Sequence, residues 1–166
     1  MLKLLVVETD DRRSLCRKVG VRGLVGLNAI RETSMTPPAS ENKGLLRRHF
    51  EAVNDQDWAA CVDTLAEDIV FHQAGNTHRG AEWLTEHYEE FYEAFLDPGI
   101  TIDDLLAEGD RVAARITNTG TTDGEIPGID APGTEIEFSS QLIARVENGV
   151  LAELWVVAEQ PWPASE

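Results

Sequence analysis

Cysteine is scarce in this chain, and so are lysine and long apolar runs. Two cysteines, Cys16 and Cys61, in 166 residues cannot form a disulfide framework, and they lack the spacing of a metal site. Such cysteine usage favours a reducing, cytoplasmic location. No apolar run reaches the roughly 20 residues that a membrane-spanning helix needs, so we predict that the chain does not enter a membrane.

Several motifs that would indicate a particular ligand or reaction are also missing. Neither G-x-G-x-x-G nor G-x-x-x-x-G-K occurs among the 13 glycines, which argues against a phosphate-binding loop. The four histidines form no H-x-x-x-H pair and have no Cys or Asp at ligand spacing, so we predict no metal site. No Ser-His-Asp order of a hydrolase triad is recognisable.

Positive charge is concentrated at one end of the sequence. The formal net charge is −16, yet residues 1–34 carry seven Lys or Arg against four acids, and Lys43 is the sole lysine that follows. A surface this acidic repels nucleic acid and anionic lipid. The acids are spread along residues 35–166, which favours adaptation to a salt-rich, halophile-like cytoplasm over a patch that binds a cationic ligand, because about 1 M salt shortens the Debye length to about 3 Å.

Residues 1–34 differ in character from the remainder of the sequence. Their net charge is positive, and no convincing strand partner follows the opening MLKLLVVETDD. We interpret them as a poorly ordered basic extension that a mis-assigned start codon would explain, since Met35 is a plausible start; a regulatory arm is the alternative. Residues 35–166 are predicted to form a single domain.

The order of elements predicts an α+β domain. Helices are predicted to begin at Ser40, Asp57 and Gly80, where capping signals precede apolar residues at helical spacing. Residues 73–79 are predicted as a polar loop. Strands are predicted over residues 68–72, 100–108, 111–120, 135–146 and 150–159. Helices followed by consecutive strands indicate helices packed on one face of a curved antiparallel sheet.

Asn148-Gly149 is the strongest local signal, because this pair suits the positive φ angles of a two-residue hairpin turn. It fixes the register and divides the last two strands into two faces. The predicted inner face is apolar: Ile136, Phe138, Leu142, Ala144, Val146, Val150, Ala152, Leu154 and Val156. The predicted outer face holds Gln141, Ile143, Arg145, Leu151, Trp155 and Val157, together with the acids Glu153 and Glu159.

Motifs in a consistent order give a family resemblance. They are ENKGLLRRHFEAVNDQDW, LAEDIVFH, HRGAEWL, AEGDRVAARITNTGT, PGIDAPGTEIEFSS and RVENGVLAELW. Residues 41–160 thus resemble the SnoaL-like polyketide cyclase and ester cyclase family, which has the nuclear transport factor 2-like cone fold. The resemblance implies three N-terminal helices on the concave face of a cone-shaped sheet. It also implies a pocket that needs no metal or organic cofactor, in which an acid/base group removes a proton α to a carbonyl and the enolate closes a ring.

The resemblance also suggests which residues to inspect. Family members often carry an acid just after the Trp of the last strand and a His on the preceding strand. Those positions correspond here to Val156 and Leu142, neither of which can move a proton. His72 matches a histidine of many ester cyclase-like members, so we predict it as the proton carrier inside the cone. A structural histidine that bonds the nearby loop is the alternative.

The long helix is predicted to shape the pocket with Trp83, His87, Tyr88 and Phe91. The alternative is that these side chains are plain core, with His87 a satisfied core or rim histidine. His49 and His78 are predicted at the surface or in loops.

Two functions fit this reading. The first is a protein that binds a small hydrophobic molecule and performs a cofactor-free cyclisation, isomerisation or hydrolysis. The second is a non-catalytic binding or dimerisation module of the same fold. A bare sheet face with exposed apolar side chains does not stay wet, so we also predict a homodimer through Ile143, Trp155 and Val157.

Overall fold

The computed structural model describes residues 39–123 and 132–159, and the backbone of residues 162–163. The prediction of a poorly ordered extension at residues 1–34 lies outside this range and stays a prediction.

Three helices form where the sequence predicts them. They are α1 (Ala39–Asn54), α2 (Trp58–Asp63) and α3 (Ala81–Glu93). In α1 the buried residues include Leu45, Leu46, Phe50 and Val53, whose spacing places them on one helical face. Asp57 caps α2, because its side chain accepts a hydrogen bond from the backbone N–H of Ala60 at 3.0 Å.

The strands form one mixed sheet. They are β1 (Leu65–Gln73), β2 (Asn76–Arg79), β3 (Phe95–Glu108), β4 (Arg111–Thr122), β5 (Glu135–Glu147), β6 (Val150–Ala158) and β7 (Trp162–Pro163). Their order is β2-β1-β6-β5-β4-β3, with β7 paired to β5. The predicted α+β class is confirmed, with one difference in pairing. A fully antiparallel sheet was predicted, whereas β1 runs parallel to β6.

The hairpin between β5 and β6 has the predicted turn. Asn148 and Gly149 have φ angles of 52° and 83°, as a two-residue turn with two positive φ angles requires. Leu142 lies directly opposite Val156. Both strands therefore turn the predicted apolar residues toward the helices over most of their length.

A register shift next to the turn corrects two of the predicted positions. Between the shift and the turn, Val146 pairs with Leu151 and Glu147 pairs with Val150. Leu151, predicted on the outer face, is fully buried, and Val150, predicted on the inner face, lies opposite the exposed Glu147. A bulge adds one residue to a strand and thereby reverses the alternation on one side of it.

The predicted polar loop at residues 73–79 is wrong in part. These residues form a hairpin in which β2 pairs antiparallel with β1. Its turn consists of Ala74 and Gly75, at φ angles of 50° and 81°. A left-handed conformation is unfavourable for alanine, so the sequence does not predict a turn at Ala74.

The hydrophobic core lies between the helices and the inner face of the sheet. Its fully buried side chains come from both layers and include Leu46, Ile69, Leu84, Leu151 and Leu154. In the described residues, no helix has the length and apolar character needed to cross a membrane.

Candidate functional site

A cavity of about 100 Å³ lies between α3 and the inner face of the sheet. Aromatic and aliphatic side chains dominate its lining, which comprises Phe50, Phe71, Gln73, His87, Tyr88, Phe91, Ile100, Ile116, Asn118, Phe138, Ser140, Leu142, Val156 and Ala158. Pockets for drug-sized ligands measure roughly 300–1,000 Å³. This cavity therefore suits a small, largely apolar molecule.

The cavity wall on β5 and β6 contains the two predicted apolar positions. Leu142 and Val156 form a cross-strand pair, and both line the cavity. No Asp or Glu is among the described residues that line it. Proton transfer in this cavity therefore has to use a group other than a carboxylate.

His87 is the imidazole that lines the cavity. Among the described residues none hydrogen-bonds its ring nitrogens, and it lies against the ring of Phe71, with 5.8 Å between centroids. Burial lowers the pKa of His87, Glu90 works in the opposite direction, and His78 lowers the pKa further. The ring is therefore neutral at pH 7 and can accept a proton.

Trp83 packs against the ring of His87. Its indole is stacked between two imidazoles, 3.8 Å from the ring of His78 and 5.2 Å from the ring of His87. Trp83 is not among the residues that line the cavity, so the structure places it as packing behind the pocket. His78, predicted at the surface or in a loop, is half-buried on β2.

Tyr88 joins the cavity to a buried hydrogen-bond chain. Its hydroxyl lies 3.2 Å from Nε2 of His49, and Nδ1 of His49 lies 2.8 Å from the hydroxyl of Thr64. The prediction that His49 lies at the surface is wrong, because it is fully buried. Burial is tolerable because both ring nitrogens have partners.

The burial of His49 has a consequence for acid stability. Desolvation lowers its pKa from 6.5 to about 4, so between these values the unfolded chain binds a proton that the folded protein excludes. The contribution of neutral, buried His49 to the free energy of unfolding is fully present above pH 6.5 and is lost as the pH falls toward 4. Between pH 7 and pH 5 this linkage should remove about 2 kcal/mol of unfolding free energy. His49→Gln should lack that loss when urea unfolding is measured at both pH values.

His78→Gln is the matched control for this measurement, since it also replaces an imidazole by an amide but on the half-buried β2 site. It should retain the acid sensitivity of the wild type. An identical pH dependence for wild type and His49→Gln would contradict a neutral, buried His49.

Two polar side chains line the cavity from the sheet. Nδ2 of Asn118 donates to the hydroxyl of Ser140 at 2.9 Å and to the carbonyl of Phe138 at 3.3 Å. The hydroxyl of Ser140 therefore accepts one bond, and its own proton has no acceptor among the described residues. That proton is available to an oxygen atom of a ligand.

His72 lies on the opposite face of the sheet, which corrects the expectation that it points into the cone. The inner residues of β1 are Ile69 and Phe71, both buried, and alternation turns His72 outward. Its ring stacks on Trp155 with 5.3 Å between centroids. Nε2 lies 2.9 Å from Oε1 of Glu153, and Nδ1 lies 3.0 Å from the Thr77 hydroxyl.

Glu153 lies on the outer face, as predicted, opposite Arg145. It accepts a hydrogen bond from Nε of Arg145 at 3.1 Å, in addition to its contact with His72. The hydrogen bond from His72 is the largest cause that lowers the pKa of Glu153, followed by that from Arg145. Glu153 is therefore an ionised member of a surface network, remote from the cavity.

The outer face also carries an apolar groove. Its walls include Ile143, Trp155, Val157 and Leu106, of which Val157 is 74% exposed and Leu106 69% exposed. The guanidinium of Arg111 lies 5.0 Å from the ring centroid of Trp155, within the range of a cation–π contact. The predicted dimer contacts Ile143, Trp155 and Val157 are all part of this face.

Potential metal ligands are dispersed. Within residues 39–123 and 132–159, no three His, Cys, Asp or Glu side chains come together as a group that could hold a metal ion.

Comparison with known proteins agrees with this architecture. Residues 43–160 match the family model described as SnoaL-like polyketide cyclase. The chain belongs to this family. No curated protein matches the chain.

Solved structures extend the comparison of this SnoaL-like chain. AclR, a proposed hydroxylase from Streptomyces galilaeus, is 29% identical with a TM-score of 0.66, over 74% of this chain and 91% of that one. IdmH, a proposed polyketide cyclase from Streptomyces antibioticus, is 23% identical with a TM-score of 0.66, over 71% and 91%. An epoxide hydrolase of the LEH-like type from M. tuberculosis is 14% identical with a TM-score of 0.60, over 74% and 86%. At 23% and 14% identity, the likeness to the last two shows the fold alone, because one fold can carry unrelated activities.

Sequence reasoning missed several polar residues of the site. Asn118 and Ser140 lie on strands whose neighbouring inner positions, Ile116 and Leu142, are apolar and buried. The period of two along each strand places these polar residues on the same face. That alternation was the signal that could have found them.

Proposed function

We propose that this SnoaL-like protein binds a small hydrophobic molecule in the cavity and that His87 moves a proton on a carbon next to a carbonyl group. The observation that carries the proposal is an unbonded imidazole with a lowered pKa in an apolar cavity. A perturbed titratable group in a cleft is a reasonable candidate for acid/base work.

The step that follows is a proton transfer without a cofactor. Neutral His87 takes the proton from the α-carbon, and the electron pair of the C–H bond delocalises onto the carbonyl oxygen as an enolate. The unused proton of Ser140 is suited to donate to that oxygen. Where a C=C bond is conjugated with the enolate, return of the proton from the imidazolium to the γ-carbon completes an isomerisation. Alternatively, the enolate carbon attacks a second carbonyl to close a ring, and the imidazolium gives its proton to the alkoxide that this attack forms.

Hydrogen–deuterium exchange of a small ketone tests this proposal without knowledge of the natural substrate. Cyclopentanone in D₂O exchanges its α-protons, and proton NMR follows the loss of signal. We expect the protein to accelerate this exchange over buffer. The rate should be constant from pH 7 to 8 and should fall along an acid limb centred below the ordinary histidine pKa of 6.5, because burial keeps the imidazole basic to lower pH.

The result can fail in two informative ways. An acid limb above 6.5 would contradict a desolvated imidazole as the base. Exchange at the buffer rate would contradict proton abstraction and favour the second candidate function.

That second candidate is a non-catalytic binding module. The apolar pair Leu142 and Val156 occupies positions where members of the family often carry His and an acid, which supports it. Native mass spectrometry of freshly purified protein distinguishes the two: a retained small molecule together with no ketone exchange would favour the binding module.

We further propose a homodimer through the outer face of the sheet, centred on Ile143, Trp155 and Val157. Ile143 is 46% exposed and Val157 is 74% exposed, and exposed apolar clusters of this kind often form interfaces. Arg111 lies over Trp155, and Arg115 borders the same groove, where it pairs with Asp103 and Asp104. Salt would screen the repulsion between two chains of net charge −16.

The proposed setting is a reducing, salt-rich cytoplasm. Cys61 is a free, buried thiol, and burial raises its pKa to about 11. The excess of acidic residues is tolerable where salt screens their mutual repulsion.

A further inference from the structure

The hydroxyl group of Tyr88 has one proton, and the structure accounts for where that proton goes. Tyr88 lines the cavity, and its oxygen lies 3.2 Å from Nε2 of His49. Which partner donates depends on the tautomer of His49, and the tautomer depends on Thr64. The direction of each hydrogen bond can therefore be assigned by starting at Thr64, the buried end of this hydrogen-bond chain.

Thr64 settles the direction of the first bond. Its hydroxyl donates to the backbone carbonyl of Cys61 at 2.6 Å, so its single proton is used there. A reversed hydroxyl would leave two oxygens 2.6 Å apart with no hydrogen between them, which is repulsive. The Thr64 oxygen consequently accepts from Nδ1 of His49 at 2.8 Å.

The direction of the hydrogen bond between His49 and Tyr88 follows from the neutral state of His49. The ring is fully buried, and desolvation lowers its pKa to about 4, so it carries one proton at neutral pH. Since Nδ1 holds that proton, Nε2 is an acceptor. Tyr88 must therefore donate its proton to Nε2, and the lone pairs of its oxygen remain.

We propose that His49 is a positioning residue that fixes Tyr88 as a hydrogen-bond acceptor toward the cavity, so that the site selects a small, largely apolar molecule carrying a hydroxyl group of phenol type. This inference rests on the proposed ligand site and narrows the class of ligand. A carbonyl oxygen placed at Tyr88 would meet only lone pairs, whereas a hydroxyl there gains a hydrogen bond.

Three fluorinated probes of similar size test the inference by fluorine NMR titration. They are 4-fluorophenol, which donates, 4-fluorobenzaldehyde, which only accepts, and fluorobenzene, which does neither. In the wild type, 4-fluorophenol should bind about 2- to 10-fold more tightly than fluorobenzene, as expected for one hydrogen bond. The aldehyde should gain nothing at Tyr88.

Variants assign the effect to the proposed residues. Tyr88→Phe should remove the preference for 4-fluorophenol. Tyr92→Phe is the matched control, because it also removes a tyrosine hydroxyl from α3. That hydroxyl donates to Oδ1 of Asn54 at 2.9 Å, and Tyr92 does not line the cavity. This variant should keep the preference for 4-fluorophenol. His49→Leu should release the Tyr88 proton and raise aldehyde affinity about 2- to 10-fold relative to fluorobenzene.

Each outcome decides the matter. Equal binding of phenol and fluorobenzene, or a phenol preference that survives in Tyr88→Phe, overturns the inference and leaves the apolar ligand site standing. Absence of binding by all three probes overturns both the inference and the proposed site. If His49→Leu fails to fold, the wild-type order of affinities and the two Tyr variants still decide.

Discussion

Replacement of His87 by glutamine is expected to slow protein-catalysed exchange of cyclopentanone α-protons by about 100-fold or more, because removal of a general base typically costs 10²–10⁴ in rate. Glutamine keeps a polar side chain of similar reach but cannot take a proton near neutral pH. Binding of fluorobenzene should change little, since the apolar lining is intact. Exchange rates by proton NMR and affinities by fluorine NMR separate these two effects.

His72→Gln is the decisive comparison for this experiment. It makes the same chemical change on the outer face, where His72 contacts Glu153 and not the cavity, so exchange should proceed at the wild-type rate. A normal rate in His87→Gln combined with a loss in His72→Gln would reverse our assignment and restore the sequence-based prediction.

Val157→Glu is expected to convert the proposed dimer into monomers. Val157 is 74% exposed and lines the outer apolar groove. A glutamate there would bring an unpaired negative charge from each chain into the proposed interface, and desolvated like charges cost several kcal/mol. The dimer dissociation constant should rise by about 100-fold or more. Sedimentation velocity across a concentration series, at the salt used for purification, measures this change.

Val62→Glu is the control for charge alone. Val62 is 40% exposed on α2, which lies outside the groove, and the variant should remain dimeric. A wild type that sediments as a monomer at every concentration would refute the interface, and so would a Val157→Glu protein that stays dimeric.

The turn between the last two strands was predicted from local sequence. Asn148-Gly149 sets the pairing next to the turn through its backbone conformation. Continued without interruption, that pairing would set Leu142 opposite Trp155, whereas the register shift makes Val156 its partner. The predicted outward position of Glu153 depends on the same shift, which the sequence did not predict.

The error at His72 has the opposite origin. Ile69, Val70 and Phe71 are all apolar, so the strand offers no alternation from which to choose a face. The choice is made by parallel pairing with β6, which sets His72 beside Trp155. That contact joins residues 83 positions apart in the sequence, and no local pattern reports it.

His49 shows a different limit. Its spacing from Leu45 and Leu46 places it on the buried face of α1, yet its polarity argued for the surface. Burial depends on partners at Thr64 and Tyr88, which come from other elements. A helix pattern identifies the face of a residue, whereas satisfaction of its polar atoms depends on the tertiary structure.

The parallel pairing of β1 with β6 also bears on how the chain is made. Among the described strands, β1 and β2 reach the remainder of the sheet through β6 alone, although α3 and β3 to β5 are synthesised in between. Completion of the sheet must therefore wait until residues near Ala158 have emerged from the ribosome. Until then the nascent β1 offers an unpaired edge to other chains, which makes early chaperone contact valuable during translation.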